Sequence, residues 1–85
     1  MGKELVGRIS HYFSKIGVGV VELEKDLKVG DVISIEGEHD SVEQTVESMQ
    51  IEHKDITKAK AGQAIGMKIN GLVHKNSKVY KITGD

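Results

Sequence analysis

The sequence predicts a small all-β domain, folded as a closed six-stranded antiparallel β-barrel over residues 1–85. Three observations carry this prediction: the chain has 85 residues, its ten glycines separate short apolar runs, and proline is absent. Short runs rich in β-branched residues and bounded by glycine are typical of strands in small barrels and sandwiches. Closure is favoured because six short strands with little helix would otherwise leave exposed edges.

The first two predicted strands form a hairpin. The first covers residues 4–13, where Leu5, Ile9 and Phe13 could share one face. The second covers residues 16–23, where closely spaced valines favour β structure because they branch at Cβ.

Two turns are predicted in the first part of the chain. Ser14–Lys15 connects the first two strands as a tight hairpin turn. Leu27–Asp31 forms the second turn, in which Gly30 supplies a positive φ and the Asp31 side chain bonds back to the backbone.

The middle of the chain contains two further predicted strands. Residues 32–36 alternate, with Ile33 and Ile35 directed inward. Residues 42–53 begin with Val42, Gln44 and Val46 on one face and change parity afterwards, which predicts a bulge or bend near residues 47–48.

The last part contains the fifth and sixth strands. Residues 54–63 are predicted as a connection, with a possible helical turn at 58–61. Residues 64–69 form the fifth strand with its apolar side chains inward, and residues 78–83 form the sixth with Val79 inward.

Charge is unevenly distributed along the sequence. Residues 54–85 carry seven lysines and two acidic residues, whereas residues 1–53 carry five basic and eleven acidic residues, which gives the formal net charge of −1. This asymmetry indicates either one basic face or, because strands interleave in a barrel, charges mixed in space.

The predicted hairpin tip is the first candidate binding site. It concentrates His11, Tyr12, Phe13 and Lys15, and aromatic rings beside a lysine can stack on bases and pair with phosphate. In the alternative interpretation, Phe13 plugs the end of the barrel while Tyr12 lies on its surface.

A second polar cluster is formed by Gln50, His53 and Lys54. These side chains could donate hydrogen bonds to an RNA end or to a partner. The alternative interpretation is a solvent-facing strand end.

No catalytic residue, metal site or cofactor is predicted. The chain has no cysteine, and its four histidines lack a ligand-pair spacing. No glycine-rich phosphate loop is present, so a nucleotide triphosphate is not an expected partner. No apolar run approaches the ~20 residues of a membrane span, so no membrane partner is predicted. The absence of cysteine fits a cytosolic protein, and a cytoplasmic location is predicted.

Blocks of sequence resemble a known barrel superfamily. The segments 6–9, 17–21, 27–37, 44–50 and 61–66, in this order, are similar to domain two of translational GTPases such as elongation factor Tu. The segments 10–17 and 48–53 also resemble stand-alone translation elongation factor-like proteins that consist of this barrel alone. A related barrel is similar to the C-terminal domain of collagenase-like peptidase relatives that modify RNA.

The resemblance implies a non-catalytic binding module that contacts tRNA, rRNA or the ribosome. The alternative is a protein-interaction module or an accessory subunit of a partner enzyme, such as an RNA-modifying one. A small hydrolase is disfavoured, because no candidate site meets the requirements of catalysis.

Overall fold

The computed structural model describes residues 2–38 and 41–83 and is all-β. Every strand pairing in these residues is antiparallel. The strands are β1 (Gly2–Phe13), β2 (Val18–Leu23), β3 (Leu27–Lys28), β4 (Val32–Glu36), β5 (Ser41–Thr45), β6 (Met49–Ile51), β7 (Lys54–Ile56), β8 (Lys58–Ala59), β9 (Ala64–Lys68) and β10 (Lys78–Thr83).

Eight strands form one sheet in the order β5-β4-β10-β1-β2-β9-β6-β7, and β3 and β8 form a separate two-stranded sheet. The predicted closed six-stranded barrel is therefore wrong in strand number and in closure. Within residues 2–38 and 41–83, no pairing joins the two end strands, β5 and β7.

The two ends of the large sheet are connected by loops and by β3 instead of by a strand ladder. The backbone N–H of Val29 donates to the Thr57 carbonyl, and that of Gly30 donates to the Val46 carbonyl (2.8 and 2.9 Å). Val46 lies just after β5 and Thr57 just after β7, so the turn after β3 contacts both ends. These bonds satisfy backbone groups that an open edge would leave unpaired.

The Gln44 side chain adds a second link between β5 and the other part of the large sheet; we call this region of contact the seam. Gln44 is 7% exposed and lies on β5. Its Nε2 donates to the Lys68 carbonyl at 2.8 Å, and its Oε1 accepts from the Asn70 N–H at 2.7 Å. The two hydrogen bonds of this one amide group therefore replace strand pairing between β5 and the end of β9.

The core is aliphatic and follows the predicted alternation. Ile33 and Ile35 of β4, Ile65 and Met67 of β9, and Val79 of β10 are all buried. Among residues 2–38 and 41–83, the buried apolar residues of the core are Val6, Ile9, Val21, Leu23, Leu27, Ile33, Ile35, Val46, Met49, Ala59, Ile65, Met67, Ile69, Val73 and Val79.

The predicted connection at residues 54–63 is wrong in its details, because it contains β7 and β8. The predicted helical turn at 58–61 is replaced by the pairing of β8 with β3. These strands carry few apolar residues. β7 pairs with β6 across a short hairpin loop, and β8 pairs with β3, which is distant in the sequence. The predicted turn is confirmed for residues 28–31, where Gly30 has φ of +100° and the Asp31 carboxylate accepts from the Lys28 N–H at 3.0 Å, whereas Leu27–Lys28 form β3.

The first and last strands are neighbours. Gly2 pairs with Thr83 at one end of the β1–β10 ladder. From there β1 runs twelve residues to Phe13, where the hairpin with β2 begins.

Candidate functional site

A β-bulge in β1 decides which aromatic side chain faces outward. Ile9 pairs with Val21, and the next pair joins His11 to Val20, so β1 has one extra residue at this point. An extra residue reverses the alternation of faces beyond it. Ile9 is therefore buried, whereas Phe13, four residues later, is 50% exposed. The prediction that both share one face is wrong for this reason.

The same bulge turns Tyr12 inward. Tyr12 packs against the core, and its hydroxyl donates to the Gly71 carbonyl at 3.1 Å. Phe13 lies instead on the outer surface, with its ring centroid 6.1 Å from that of His11 and the planes inclined by 25°. The interpretation in which Phe13 plugs the domain and Tyr12 lies on the surface is thus the reverse of the arrangement found.

The connection from β1 to β2 is longer than the predicted two-residue turn. It spans residues 14–17, and the N–H groups of Ile16 and Gly17 both donate to the Phe13 carbonyl (3.2 and 2.9 Å). Gly17 has φ of +67°, which glycine adopts without steric cost. Ile16 is left 69% exposed at the tip.

An apolar stripe crosses the outer face of the sheet from this tip. Phe13 pairs with Val18 of β2. Val20, two residues along and on the same face, pairs with Gly66 of β9, and Gly66 pairs with Gln50 of β6. An outward strand face is normally polar, so partly exposed valines here mark a departure from the usual pattern.

The stripe forms the floor of an open cavity of about 330 Å³. We call it the hairpin groove and define it by Phe13, Ile16, Val18, Val20 and Gly66. A second cavity of about 330 Å³ continues the trough toward Lys68 and shares three of these residues. The polar rim of the groove consists of Gln50, Glu52 and His53.

Gly66 makes the groove deeper than a side chain would allow. A Cβ added there would lie 3.7 Å from the Val18 Cγ1 and 3.9 Å from the Gln50 carbonyl oxygen, which are ordinary contact distances. Its φ is not positive. Neither the backbone nor the packing requires glycine here, and its effect is to leave the strand surface uncovered.

The rim contains a tight turn between β6 and β7. Ile51 pairs with Lys54, so Glu52 and His53 form a two-residue hairpin loop. Their φ angles are +52° and +67°, in a region that favours Asn-Gly and costs other residues free energy. Strained backbone of this kind concentrates at functional sites.

The structure brings together three of the seven predicted site residues: Phe13, Gln50 and His53 all line the hairpin groove. Lys15 and Lys54 are exposed in the adjacent turn and strand but do not line it. Their roles, like those of His11 and Tyr12, stay predictions. The prediction missed Ile16, Val18, Val20 and Gly66, although the outward-facing valines were a signal that the sequence contained.

Gln50 is held in place by its neighbour on β7. Its Nε2 donates to the Asp55 Oδ1 at 2.9 Å, across the β6–β7 hairpin. This bond fixes the Gln50 side chain in the polar rim of the groove, while the Gln50 carbonyl lies beside Gly66.

Within residues 2–38 and 41–83, no group of three or more His, Cys, Asp or Glu side chains is placed to hold a metal ion. His39 lies outside the described residues. The same residues include no helix that is long and apolar enough to cross a bilayer.

No protein-family model matches the chain. It is 45% identical over 76 residues to an uncharacterized protease of Methanocaldococcus jannaschii, covering 88% of this chain and 19% of that protein. It is 36% identical over 81 residues to a collagenase of Porphyromonas gingivalis, covering 93% of this chain and 22% of the relative. The chain thus spans about a fifth of the length of these relatives.

Two crystal structures share the fold. Both are of the C-terminal domain of a Geobacillus thermoleovorans protein named as a U32 peptidase. One has a TM-score of 0.87 at 18% identity and covers 94% of this chain and 93% of that domain. The other, a selenomethionine variant, has a TM-score of 0.84 at 19% identity, with 89% of this chain and 96% of that domain covered.

These similarities correct the predicted family. The relatives carry the names of proteases and collagenases, so the prediction of a translation elongation factor-like protein is wrong. The prediction of a translation module that contacts tRNA, rRNA or the ribosome is therefore wrong as well. The names of the relatives do not decide whether the alternative, an accessory subunit of a partner enzyme, is correct. The segments that carried the resemblance specify turns and strand alternation, which are features of a fold and not of a binding partner. Individual partners, and the cytoplasmic location, stay predictions.

Proposed function

We propose that this chain is a non-catalytic β domain of a U32-peptidase-type protein and that it binds an extended segment of a protein substrate in the hairpin groove. The observation that carries the proposal is the exposure of Phe13 (50%) and Ile16 (69%) beside an apolar trough. Large apolar side chains gathered around a concave surface with a polar rim are typical of binding sites.

The names of the relatives support a polypeptide as the ligand. Proteases and collagenases act on protein chains, and an unfolded or extended chain can present apolar side chains to a trough. Since this chain corresponds to about a fifth of each relative, we assign peptide-bond cleavage to the remaining four-fifths and substrate contact to this domain.

The geometry of the groove suits an extended chain. The cavity and its continuation follow the outer face of β2 and β9, where Gly66 lets another backbone approach closely. Burying the exposed half of the Phe13 side chain or the exposed part of Ile16 contributes roughly 1 to 2 kcal/mol each. Loss of either contact should weaken binding about tenfold.

Binding can be measured by the fluorescence anisotropy of labelled, unfolded casein titrated with the 85-residue chain. Ile16→Ser should weaken binding about tenfold, and Gly66→Leu should weaken it further by filling the trough. Leu72→Ser is the matched control, because Leu72 is 61% exposed but does not line the groove. Equal affinities for the Ile16, Gly66 and Leu72 variants would refute the assignment of the site.

The affinity for casein should depend little on salt concentration, since the contacts in the groove are apolar. An affinity that falls more than tenfold between 50 and 500 mM NaCl would contradict an apolar site. Incubation of the chain with casein should yield no new fragments, and the appearance of fragments that the buffer alone does not produce would contradict the non-catalytic assignment.

A further inference from the structure

A different cavity, of about 250 Å³, lies beside the two-stranded sheet and is separate from the hairpin groove. Its floor includes Leu27 and Ala59, which are 1% and 2% exposed. Four lysines line it: Lys28, Lys58, Lys60 and Lys81.

Two of these lysines face each other across strands. Leu27 pairs with Ala59 and Lys28 pairs with Lys58, and these two pairs are the whole ladder of β3 and β8. Like charges directly opposite each other destabilise a sheet. Lys60 adds a third ammonium group two residues beyond Lys58, and in the described part of the chain none of the three forms an ion pair.

The two carboxylates that line the cavity already have partners. Asp31 Oδ2 accepts from the Lys28 N–H at 3.0 Å and lies 3.7 Å from the Lys81 Nζ. Asp26 Oδ1 accepts from the Ala61 N–H at 3.1 Å. Four ammonium groups against two carboxylates leave the lining with a formal charge of +2.

We propose that this cavity binds a small multivalent oxyanion of the diphosphate class. An anion between Lys28 and Lys58 would offset their mutual repulsion, which otherwise opposes formation of the two-stranded sheet. Lysine binds phosphate groups as a point charge. The cavity volume equals that of roughly eight water molecules at about 30 Å³ each, which suits a ligand of that size.

The test is thermal unfolding of the 85-residue chain in sodium pyrophosphate and in sodium chloride at the same ionic strength. Pyrophosphate should raise the Tm beyond the chloride value, because a ligand that binds only the folded state stabilises it. Lys58→Gln should raise the Tm without anion, by removing the like-charge pair, and should weaken pyrophosphate binding at least tenfold. Lys75→Gln, an exposed lysine outside the cavity, should respond as the parent does.

Three results would overturn the proposal: an equal Tm rise in chloride, a parent-like response of Lys58→Gln, and hexaglutamate binding tenfold tighter than pyrophosphate. The last would assign the cavity to an acidic polypeptide. The outcome is independent of casein binding, since the groove and this cavity share no residue.

Discussion

Truncation of Gln44 tests how the open sheet is held together. Gln44→Ala removes the bonds to the Lys68 carbonyl and the Asn70 N–H (2.8 and 2.7 Å). Each bond contributes about 1 kcal/mol net. The buried part of the side chain contributes about 0.8 kcal/mol per methylene lost. The expected loss in the free energy of unfolding is therefore about 3 kcal/mol, which is a large part of the stability of a small domain.

The assay is urea unfolding followed by circular dichroism, since the chain has no tryptophan. Gln50→Ala is the matched control: Gln50 is also on a strand, but it is exposed and its bond to Asp55 lies at the surface. We expect the control to change stability by less than about 0.5 kcal/mol. If the two variants lost the same stability, the reasoning that the Gln44 amide joins β5 to the end of β9 would be refuted.

Three further perturbations give distinct outcomes. Gly7→Ala should destabilise the domain by about 2 kcal/mol in chemical unfolding, because the new Cβ would lie 2.5 Å from the Glu22 carbonyl oxygen; a neutral effect would contradict this close approach. Tyr12→Phe should lower the free energy of unfolding by about 1 kcal/mol, because it removes the hydrogen bond to the Gly71 carbonyl; an unchanged Tm in calorimetry would contradict this. The hydrogen bond from Lys3 holds the pKa of Glu36 below its usual value near 4.5. A lowered folded-state pKa gives stability that is present above the usual value and lost as pH falls through the lowered one. The Tm of the parent should therefore fall more steeply than that of Lys3→Met between pH 5 and 2.5, and parallel curves would contradict the pairing.

The inward faces of β4 and β9 could be predicted from the sequence because apolar residues alternate regularly in both strands. Ile33 and Ile35, like Ile65 and Met67, are separated by one residue and lie in the core. The turn at Gly30 was also predictable, since only a few residue types adopt positive φ readily.

The short strands and the seam could not be predicted in this way. Residues 54–56 read Lys-Asp-Ile, and no local pattern marks them as a strand. Their pairing depends on β6, and that of Lys58–Ala59 on β3, which is distant in the sequence. The prediction of a closed barrel is wrong for a related reason. Loop backbone groups and the Gln44 amide form hydrogen bonds at the sheet edge, so no closing strand pair is needed there.

The candidate groove was predicted only in part. The aromatic ring of Phe13 marks it as a candidate in the sequence. Its outward direction depends on a bulge that adds one residue to β1, and no residue in that segment signals a bulge by its type. Gly66 could not be identified as a binding feature from the sequence, because a glycine in a strand can mark a bulge, a bend or a close approach of another backbone.

The pairing of Gly2 with Thr83 places the start of β1 beside the end of β10. A polypeptide joined to either strand end would be attached beside this pair, whereas Phe13 lies at the other end of β1, eleven residues beyond Gly2. The longest dimension of the domain is 33 Å. An extended chain covers that distance with roughly ten residues at about 3.3 Å each. A polypeptide bound in the hairpin groove, as we propose, would need no more than about that reach to extend over the domain to a segment joined at the Gly2–Thr83 pair.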